Sequence, residues 1–413
     1  MNPTTTTIAT DLLTPLGAYL RLRGMGSASF ILESVERGRL GRSSWMGAGS
    51  RVVAFEEAEA LGLPVVGYVS YDHVVRLEPT VPLPSDGHGF PESRLVVADT
   101  LVRFDHGAGT AEVLAGDEEE IAGRLEAGIP WHREARGTPG PIRRTPDRER
   151  YEEMVRLVKE HIVAGDVFQC VPSQRAERPT SASPLDVYRA LRRVNPSPYL
   201  FLLELDGVAL VGSSPETHVK AEGSRASLNP IAGTTARGDG DAERLLTSEK
   251  DRAEHVMLVD LGRNDLSRVC VPGTVKVERF LEPERFSHVT HLVSEVAGEL
   301  ADGVTPFDLL RATFPAGTVS GAPKVRAMQI ISELEPHRRG IYAGAVGYIG
   351  FDGAMDTCIA LRTIAVRDGV VRLQAGGGVV ADSVPELEHE ECINKMAALQ
   401  RAVDLAETGA YGR

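Results

Sequence analysis

The sequence predicts an α+β fold built on large antiparallel or mixed sheets flanked by helices. Three observations lead there. Strand-like segments come in neighbouring pairs, as at 199–211, which turns back at Asp206–Gly207. Long segments with helical apolar spacing lie between those pairs. Strands and helices do not alternate strictly, so paired strands between helices fit better than a doubly wound parallel sheet.

In chain order, residues 1 to about 130 read as short strands and turns, with 65–71 and 95–104 the clearest strands. Residues 131–146 are rich in Arg, Pro and Gly and carry no apolar period. That composition suits a linker, or a solvated loop inside one domain. A boundary there gives an N-terminal region, 1–140, and a second region, 141–413. Thr145–Pro146 then starts a helix, with Tyr151, Met154, Val155, Val158 and Ile162 on one face and Gly165 ending it. Residues 167–175 read as a strand. Ser183–Pro184 opens a helix carrying Leu185, Tyr188 and Leu191, which stops before Asn195-Pro-Ser-Pro. Residues 241–262, 322–334 and 384–406 read as helices, and 342–349 and 355–366 as strands. No internal repeat is present.

A chain of 413 residues with 42% apolar and 25% charged content has an ordinary soluble composition and needs no metal or disulfide to fold. Its net charge of −13 argues against a nucleic-acid partner. An anionic substrate would need local positive groups or a metal. Cys170, Cys270, Cys358 and Cys392 are widely spaced, which suggests reduced thiols in the cytoplasm. The Thr-rich start lacks a basic-then-apolar leader, and no run approaches ~18 apolar residues, so no membrane span is expected.

Two acidic pairs stand out: Asp251 with Glu254, and Glu388 with Glu391. Each is spaced i, i+3 in a predicted helix, so each pair shares a face. Such pairs are most often solvated helix faces. Were the two faces to meet, like charges ~4 Å apart would repel by roughly 4 kcal/mol per pair at an effective dielectric of 20. That cluster would need a hard cation, and oxygen-only ligands suit Mg²⁺. Gly376, Gly377 and Gly378 lie between apolar runs and could bring backbone N–H groups close to an anion, or form a tight turn. Gly317-Thr-Val-Ser-Gly-Ala-Pro-Lys324 fails the P-loop spacing, which speaks against nucleotide binding.

Several segments, taken together, resemble the chorismate-utilising family of anthranilate, aminodeoxychorismate, isochorismate and salicylate synthases. They are Ser214-Pro-Glu216, Asn229-Pro-Ile-Ala-Gly-Thr234, Glu254 to Asp265, His291-Leu-Val-Ser294, Phe314 to Lys324, Gly344-Ala-Val-Gly-Tyr348, Asp356 to Arg362, and residues 374–382 and 388–395. They cover about 150–400 in the family's order, and the pattern is most like that of the large subunits of anthranilate synthases. The N-terminal third is less similar and is shorter than expected. The implied fold is a sandwich of large sheets with flanking helices.

The resemblance implies roles residue by residue. Glu254 and Glu391 would hold Mg²⁺ directly, with Asp251 and Glu388 behind them or acting through water. Asp251 stands where Glu is usual. Glu216 would be the general acid that protonates the leaving C4 oxygen of chorismate, which requires a raised pKa. Arg362 would clamp the enolpyruvyl carboxylate, with Lys395, Gly376–Gly378, Thr318 and Tyr348 as further substrate contacts. His291 would serve pyruvate loss as a base. Gln169 replaces the Lys base of relatives that add water, and Ala232 replaces the nucleophilic Lys of relatives that aminate C4. Both point to ammonia attacking C2. Ammonia would come from a separate glutamine amidotransferase subunit, making a hetero-oligomer. Ser34, Pro198, Tyr199 and Leu200 match a tryptophan inhibitor pocket, with Cys358 nearby. Three other readings stay open: a 2-amino-2-deoxyisochorismate synthase without the lyase step, an aminodeoxychorismate synthase, and a non-catalytic tryptophan-sensing protein.

Overall fold

The computed structural model describes residues 7–34, 43–87, 89–130, 132, 137–285, 289–350 and 354–410. Two sheets face each other and helices cover both outer faces. The first sheet has 11 strands. Its centre runs Ser43–Gly49, Ala28–Glu33, Tyr199–Leu205, Val208–Ser214, Thr363–Arg367, Val370–Gly376 and Ser173–Pro179. The second has 10 strands, with Thr217–Glu222, Met355–Ile359, Ala345–Ile349 and Val65–Val69 at its centre. The pairings within both are antiparallel. Both sheets draw strands from either side of residue 140.

Alternation along the strands explains the layers. In Tyr199–Leu205, Leu200 and Leu202 point to the core under helices Arg148–Val163, Pro184–Val194 and Pro385–Thr408. Phe201 and Leu203 point the other way, into the layer between the sheets, where they join Tyr68, Val346 and Cys358. The second sheet's outer face, with Val65, Val219 and Met355, packs on Val259, Phe307 and Leu309 from two further helices, Glu249–Ser267 and Pro306–Thr313. Phe201 is about 1% exposed; its removal to Ala would cost about 3–5 kcal/mol.

Local chemistry set most boundaries as expected. Ser183 caps its helix by accepting from the Asp186 N–H, and Pro184 follows as the first helical residue. Asp206 and Gly207 both take positive φ (45° and 79°), as a two-residue hairpin turn requires. Residues 95–104, expected as one strand, divide into Ser93–Val97 in the second sheet and Thr100–Asp105 in the first, and four further boundaries differ. The helix expected from Thr145 begins at Arg148, because Asp147 is the cap and Thr145 belongs to an edge strand, Arg143–Thr145. The predicted linker, 131–146, lies partly outside the described residues. The helix expected over 241–262 is two helices, since Ser248 accepts from the Asp251 N–H and restarts the chain. Residues 167–175 divide into Gln169–Cys170, paired with Gly321–Ala322, and a strand starting at Ser173.

The fourth difference positions the site. Residues 355–366 are not one strand: Met355–Ile359 belongs to the second sheet and Thr363–Arg367 to the first. The chain crosses between sheets at Ala360-Leu361-Arg362, where Arg362 has φ +46°. Val208–Ser214 and Thr217–Glu222 make the same crossing through Ser214-Pro-Glu216. The Ile359 N–H donates to the Glu216 carbonyl at 3.0 Å. The two crossings therefore lie side by side.

Candidate active site

A strand that leaves one sheet for the other must turn its side chains out of the pleat. At these crossings it brings Glu216, which lines a cleft, and Arg362 within electrostatic reach of each other. Glu216, Thr318, Asn229, Pro230 and Leu258 line an open space of about 380 Å³. Burial lifts the Glu216 carboxyl to about 8, against the pull of the Thr318 hydroxyl and then of the Arg362 guanidinium. The Arg362 guanidinium is half-buried, and burial lowers its own pKa while Glu216 supports its charge. Among the described residues it has no hydrogen-bonded or ion-paired side chain.

His291 faces the same charge. It is 6% exposed, and its Nδ1 lies 3.2 Å from the Gly233 carbonyl. A carbonyl only accepts, so Nδ1 carries the hydrogen and Nε2 keeps its lone pair. Burial lowers the imidazole pKa, the Gly233 carbonyl raises it, and Arg362 lowers it further. The ring is neutral at pH 7. Cleft and crossings thus combine a protonated acid, a neutral base and an uncommitted cation.

The glycine segment joins the two acidic helices. A Cβ on Gly378 would sit 2.3 Å from Gln169 Nε2 and 3.4 Å from Glu254 Oε1; one on Gly377 would sit 2.7 Å from Glu388 Oε2 and 4.0 Å from Glu391 Oε1. Glycine there keeps open a gap between carboxylates of both helices. Burial raises the pKa of Glu254, Gln169 lowers it, and Asp251 raises it. Burial also raises Glu388, and Ser383 Oγ, which donates to Glu388 Oε1 at 2.6 Å, lowers it. Lys395 Nζ holds Glu391 Oε1 at 2.7 Å and donates to the Gly376 carbonyl at 2.9 Å. Gln169 Nε2 donates to Glu254 Oε1 at 2.8 Å, and Gln169 Oε1 is buried with no hydrogen-bond partner among the described residues. Asp251 stands apart, packed against Gly233 with its Cγ 3.4 Å from that residue's Cβ position. Among the described residues no three of these groups already converge at ligating distance, as mutual repulsion dictates. The all-oxygen donor set and the Cβ-free gap fit a hard divalent cation held by Glu254 and Glu391, with Glu388 supporting.

Sequence reasoning passed over several groups here. Lys324 Nζ pairs with buried Asp265 at 2.7 Å beneath the cleft. Tyr342 is buried beside the Gly376 backbone, which lowers its pKa against the rise from burial. Glu335 and Arg339 form a buried pair behind Gln169 and Thr318. The partners are 59 residues apart for Lys324 and 34 for Tyr342–Gly376, so no local spacing signals those two, whereas Glu335 and Arg339 stand at i, i+4.

The family model described as chorismate binding enzyme matches residues 27–401. The chain belongs to the chorismate-binding enzymes. It is 44% identical to anthranilate synthase component 1 of Thermus thermophilus, covering 99% of each chain. It is 43% identical to the same-named protein of Streptomyces coelicolor, covering 97% of this chain and 88% of that one. The crystal structure of anthranilate synthase component I from Streptococcus pneumoniae superposes with a TM-score of 0.80 at 33% identity, over 95% of this chain and 99% of that one. A menaquinone-specific isochorismate synthase of Escherichia coli shares the fold, with a TM-score of 0.78 at 22% identity, over 97% and 94% of the two chains. The name component 1 marks those relatives as one part of an assembly. Among the described residues, no helix is long and apolar enough to cross a membrane.

In this chorismate-binding enzyme the layer between the sheets is a packed apolar cluster. Of the residues expected at an inhibitor pocket, Tyr199 reaches this layer, whereas Leu200 points to the opposite face, under the helices. Leu200 pairs with Glu33 in the first sheet, so Pro198, Tyr199 and Leu200 lie beside Ser34. Residues 35–42 lie outside the described set. Tyr199 joins Leu32, Trp45 and Cys358 in the inter-sheet cluster. Its hydroxyl donates to Asp356 Oδ1 at 3.0 Å and lies 2.8 Å from Thr217 Oγ1. Tyr348 belongs to this layer rather than to the cleft: its ring lies against Trp45, centroids 5.0 Å apart and tilted by 43°.

Proposed function

We propose that this chain is the large subunit of an anthranilate synthase, aminating chorismate at C2 and then releasing pyruvate. The observation that carries this reading is the divergence of Glu216 and His291. Burial keeps the carboxyl protonated to about pH 8 and the imidazole neutral, around one guanidinium. Titratable groups whose environments push their pKa values apart mark an acid and a base.

In the first step ammonia bonds to C2, the ring double bonds shift, and the C4–O bond breaks. The Glu216 carboxyl gives its proton to the departing hydroxyl, which leaves as water. Arg362, lacking a partner of its own, takes the enolpyruvyl carboxylate in a bidentate grip. Gln169 cannot take a proton at neutral pH, so water is not activated. Its unpartnered Oε1 suits an N–H of ammonia. Ala232 offers no nucleophile toward C4. In the second step His291 Nε2 removes the C2 proton, the C3–O bond breaks as the ring becomes aromatic, and the departing enolate takes a proton at its methylene carbon to become pyruvate.

Mg²⁺, held by Glu254 and Glu391, would supply Lewis-acid stabilisation of the ring carboxylate as charge develops. Glu388 would orient Glu391 and Asp251 would act through water. Lys395 and the N–H groups of Gly376, Gly377 and Gly378 would hold further substrate oxygens, and Thr318 would keep Glu216 in place. The proposal includes a glutamine amidotransferase subunit as ammonia source, a hetero-oligomeric cytoplasmic assembly, and tryptophan as an inhibitor bound near Ser34 and Tyr199. Residues 1–140 would then be the regulatory part and 141–413 the catalytic part.

Incubation with chorismate, Mg²⁺ and ammonium tests the reading. Fluorescent anthranilate with equimolar pyruvate is the expected result. An amino-dihydro acid without pyruvate would leave only the amination half standing. A 4-amino product, or tryptophan binding with no chorismate consumed, would replace the reading altogether.

A further inference from the structure

We propose that Arg339 is a positioning residue that holds three separate segments of the active site in mutual register. The inference rests on the functional reading above for its kinetic consequences, and on geometry alone for its structural ones.

Arg339 is 3% exposed and Glu335 6%. Neither touches the cleft. The guanidinium binds Glu335 through Nε and Nη2, at 3.0 Å to Oε2 and 2.7 Å to Oε1. Its remaining donors go to backbone. Nη1 donates to the Val319 carbonyl at 2.7 Å, and Nη2 donates to the Val171 carbonyl. Val319 adjoins Thr318, the neighbour that pulls hardest against the raised Glu216 pKa. Val171 is two residues from Gln169. Glu335 Oε1 in turn accepts from the Ser173 N–H at 2.9 Å and the Ser173 hydroxyl at 2.8 Å. Ser173 is the sheet partner of Gly376, which opens the glycine segment.

One buried ion pair therefore fixes the backbones that deliver Thr318, Gln169 and Gly376–Gly378. No two of these segments are neighbours in sequence. The rings of Tyr71 and Tyr342 pack on the guanidinium, with centroids 4.8 and 5.5 Å from its carbon, and hold its plane. The planar fork is essential to the arrangement. A lysine ammonium is a single point charge, and it cannot bind Glu335 and two carbonyls in fixed directions.

Two variants test this. Arg339→Lys keeps the charge on Glu335 and loses the fork. The double replacement Glu335→Met with Arg339→Met removes both charges together, so no buried charge is stranded if the fold survives. Hydrogen exchange by mass spectrometry is read first, because it needs no activity. Faster exchange confined to 169–173, 317–320 and 374–378 is expected in both variants. For a parent enzyme that makes anthranilate, kcat/KM for chorismate should fall by about 100-fold, the scale of a 1 Å misplacement. The alkaline limb of its pH profile should move upward as the pull of Thr318 on Glu216 is lost. A parent that never consumes chorismate overturns the functional reading and leaves the exchange result to decide this one. Unchanged exchange at the three segments overturns the proposal, as does kcat/KM within about twofold of the parent with the limb in place. Failure of both variants to fold also overturns it, since Arg339 would then be scaffold only.

Discussion

The cleft at Glu216 and the packed layer at Tyr199 share a wall, yet they treat polar groups in opposite ways. Glu216 and Thr217 are consecutive, and Thr217 reaches the Tyr199 hydroxyl at 2.8 Å. Around Tyr199, polar groups are matched: Tyr199 has Thr217 and Asp356, and Asp356 has Lys220 at 3.0 Å. In the cleft, burial is left uncompensated: a carboxyl is pushed up, an imidazole down, and Arg362 waits for an anion. Matched polar groups hold a shape, whereas unmatched ones hold a capacity to react.

The comparison can be broken or sharpened in order of effect. Glu216→Gln should lower anthranilate formation by about 10⁴-fold, the upper range for loss of a general acid. Its melting temperature should hardly change, because a neutral amide replaces a carboxyl that is already protonated. A large stability loss instead would make Glu216 a structural group. His291→Asn should keep amination and cut pyruvate release by about 10³-fold, within the range of general-base loss. Chromatography should then find the amino-dihydro acid, and its absence would remove His291 from the second step. Glu388→Gln should weaken Mg²⁺ binding about 10- to 100-fold by calorimetry, as expected for a residue that orients a ligand.

The pH dependence follows from one sign. A carboxyl whose pKa is raised is protonated below that value and loses its proton above it. With Glu216 at about 8, kcat/KM should hold through neutrality and then fall about tenfold per pH unit on the alkaline side. A limb near pH 5 would contradict the buried acid. The smallest effect belongs to the matched region. Tyr199→Phe removes one hydroxyl from its network and should cost about 1 kcal/mol in denaturant unfolding. The alkaline limb should stay where it is; a shift would mean that the shared wall couples the two sites.

Much of the fold was legible because its signals are local. Ser183 and Pro184 announce a helix by satisfying or lacking N–H groups within one turn, and Asp206–Gly207 announces a hairpin by backbone freedom alone. The acidic pairs were legible as pairs, since i, i+3 spacing fixes a shared face whatever surrounds it. Their meeting across Gly377 and Gly378 was not. The strand break at 360–362 was also hidden: a strand has the same period of two in either sheet, so nothing in 355–366 tells where the chain changes sheets. Tyr348 shows the same limit, as its motif neighbours the site residues in sequence while its ring lies between the sheets.

The sequence by itself determined the chemistry available: an acid at 216, a base at 291, a cation at 362, and amide and methyl side chains at 169 and 232 that narrow the choice of nucleophile. Covalent structure sets these, and no fold can change them. Tertiary structure decided what state each group is in. The pKa of Glu216, the ring nitrogen of His291 that carries the hydrogen, and a charge on Arg362 with no ion pair among the described residues all depend on burial and on partners tens of residues away. Desolvation and hydrogen bonding act through space, so they exist only once the two sheets have met.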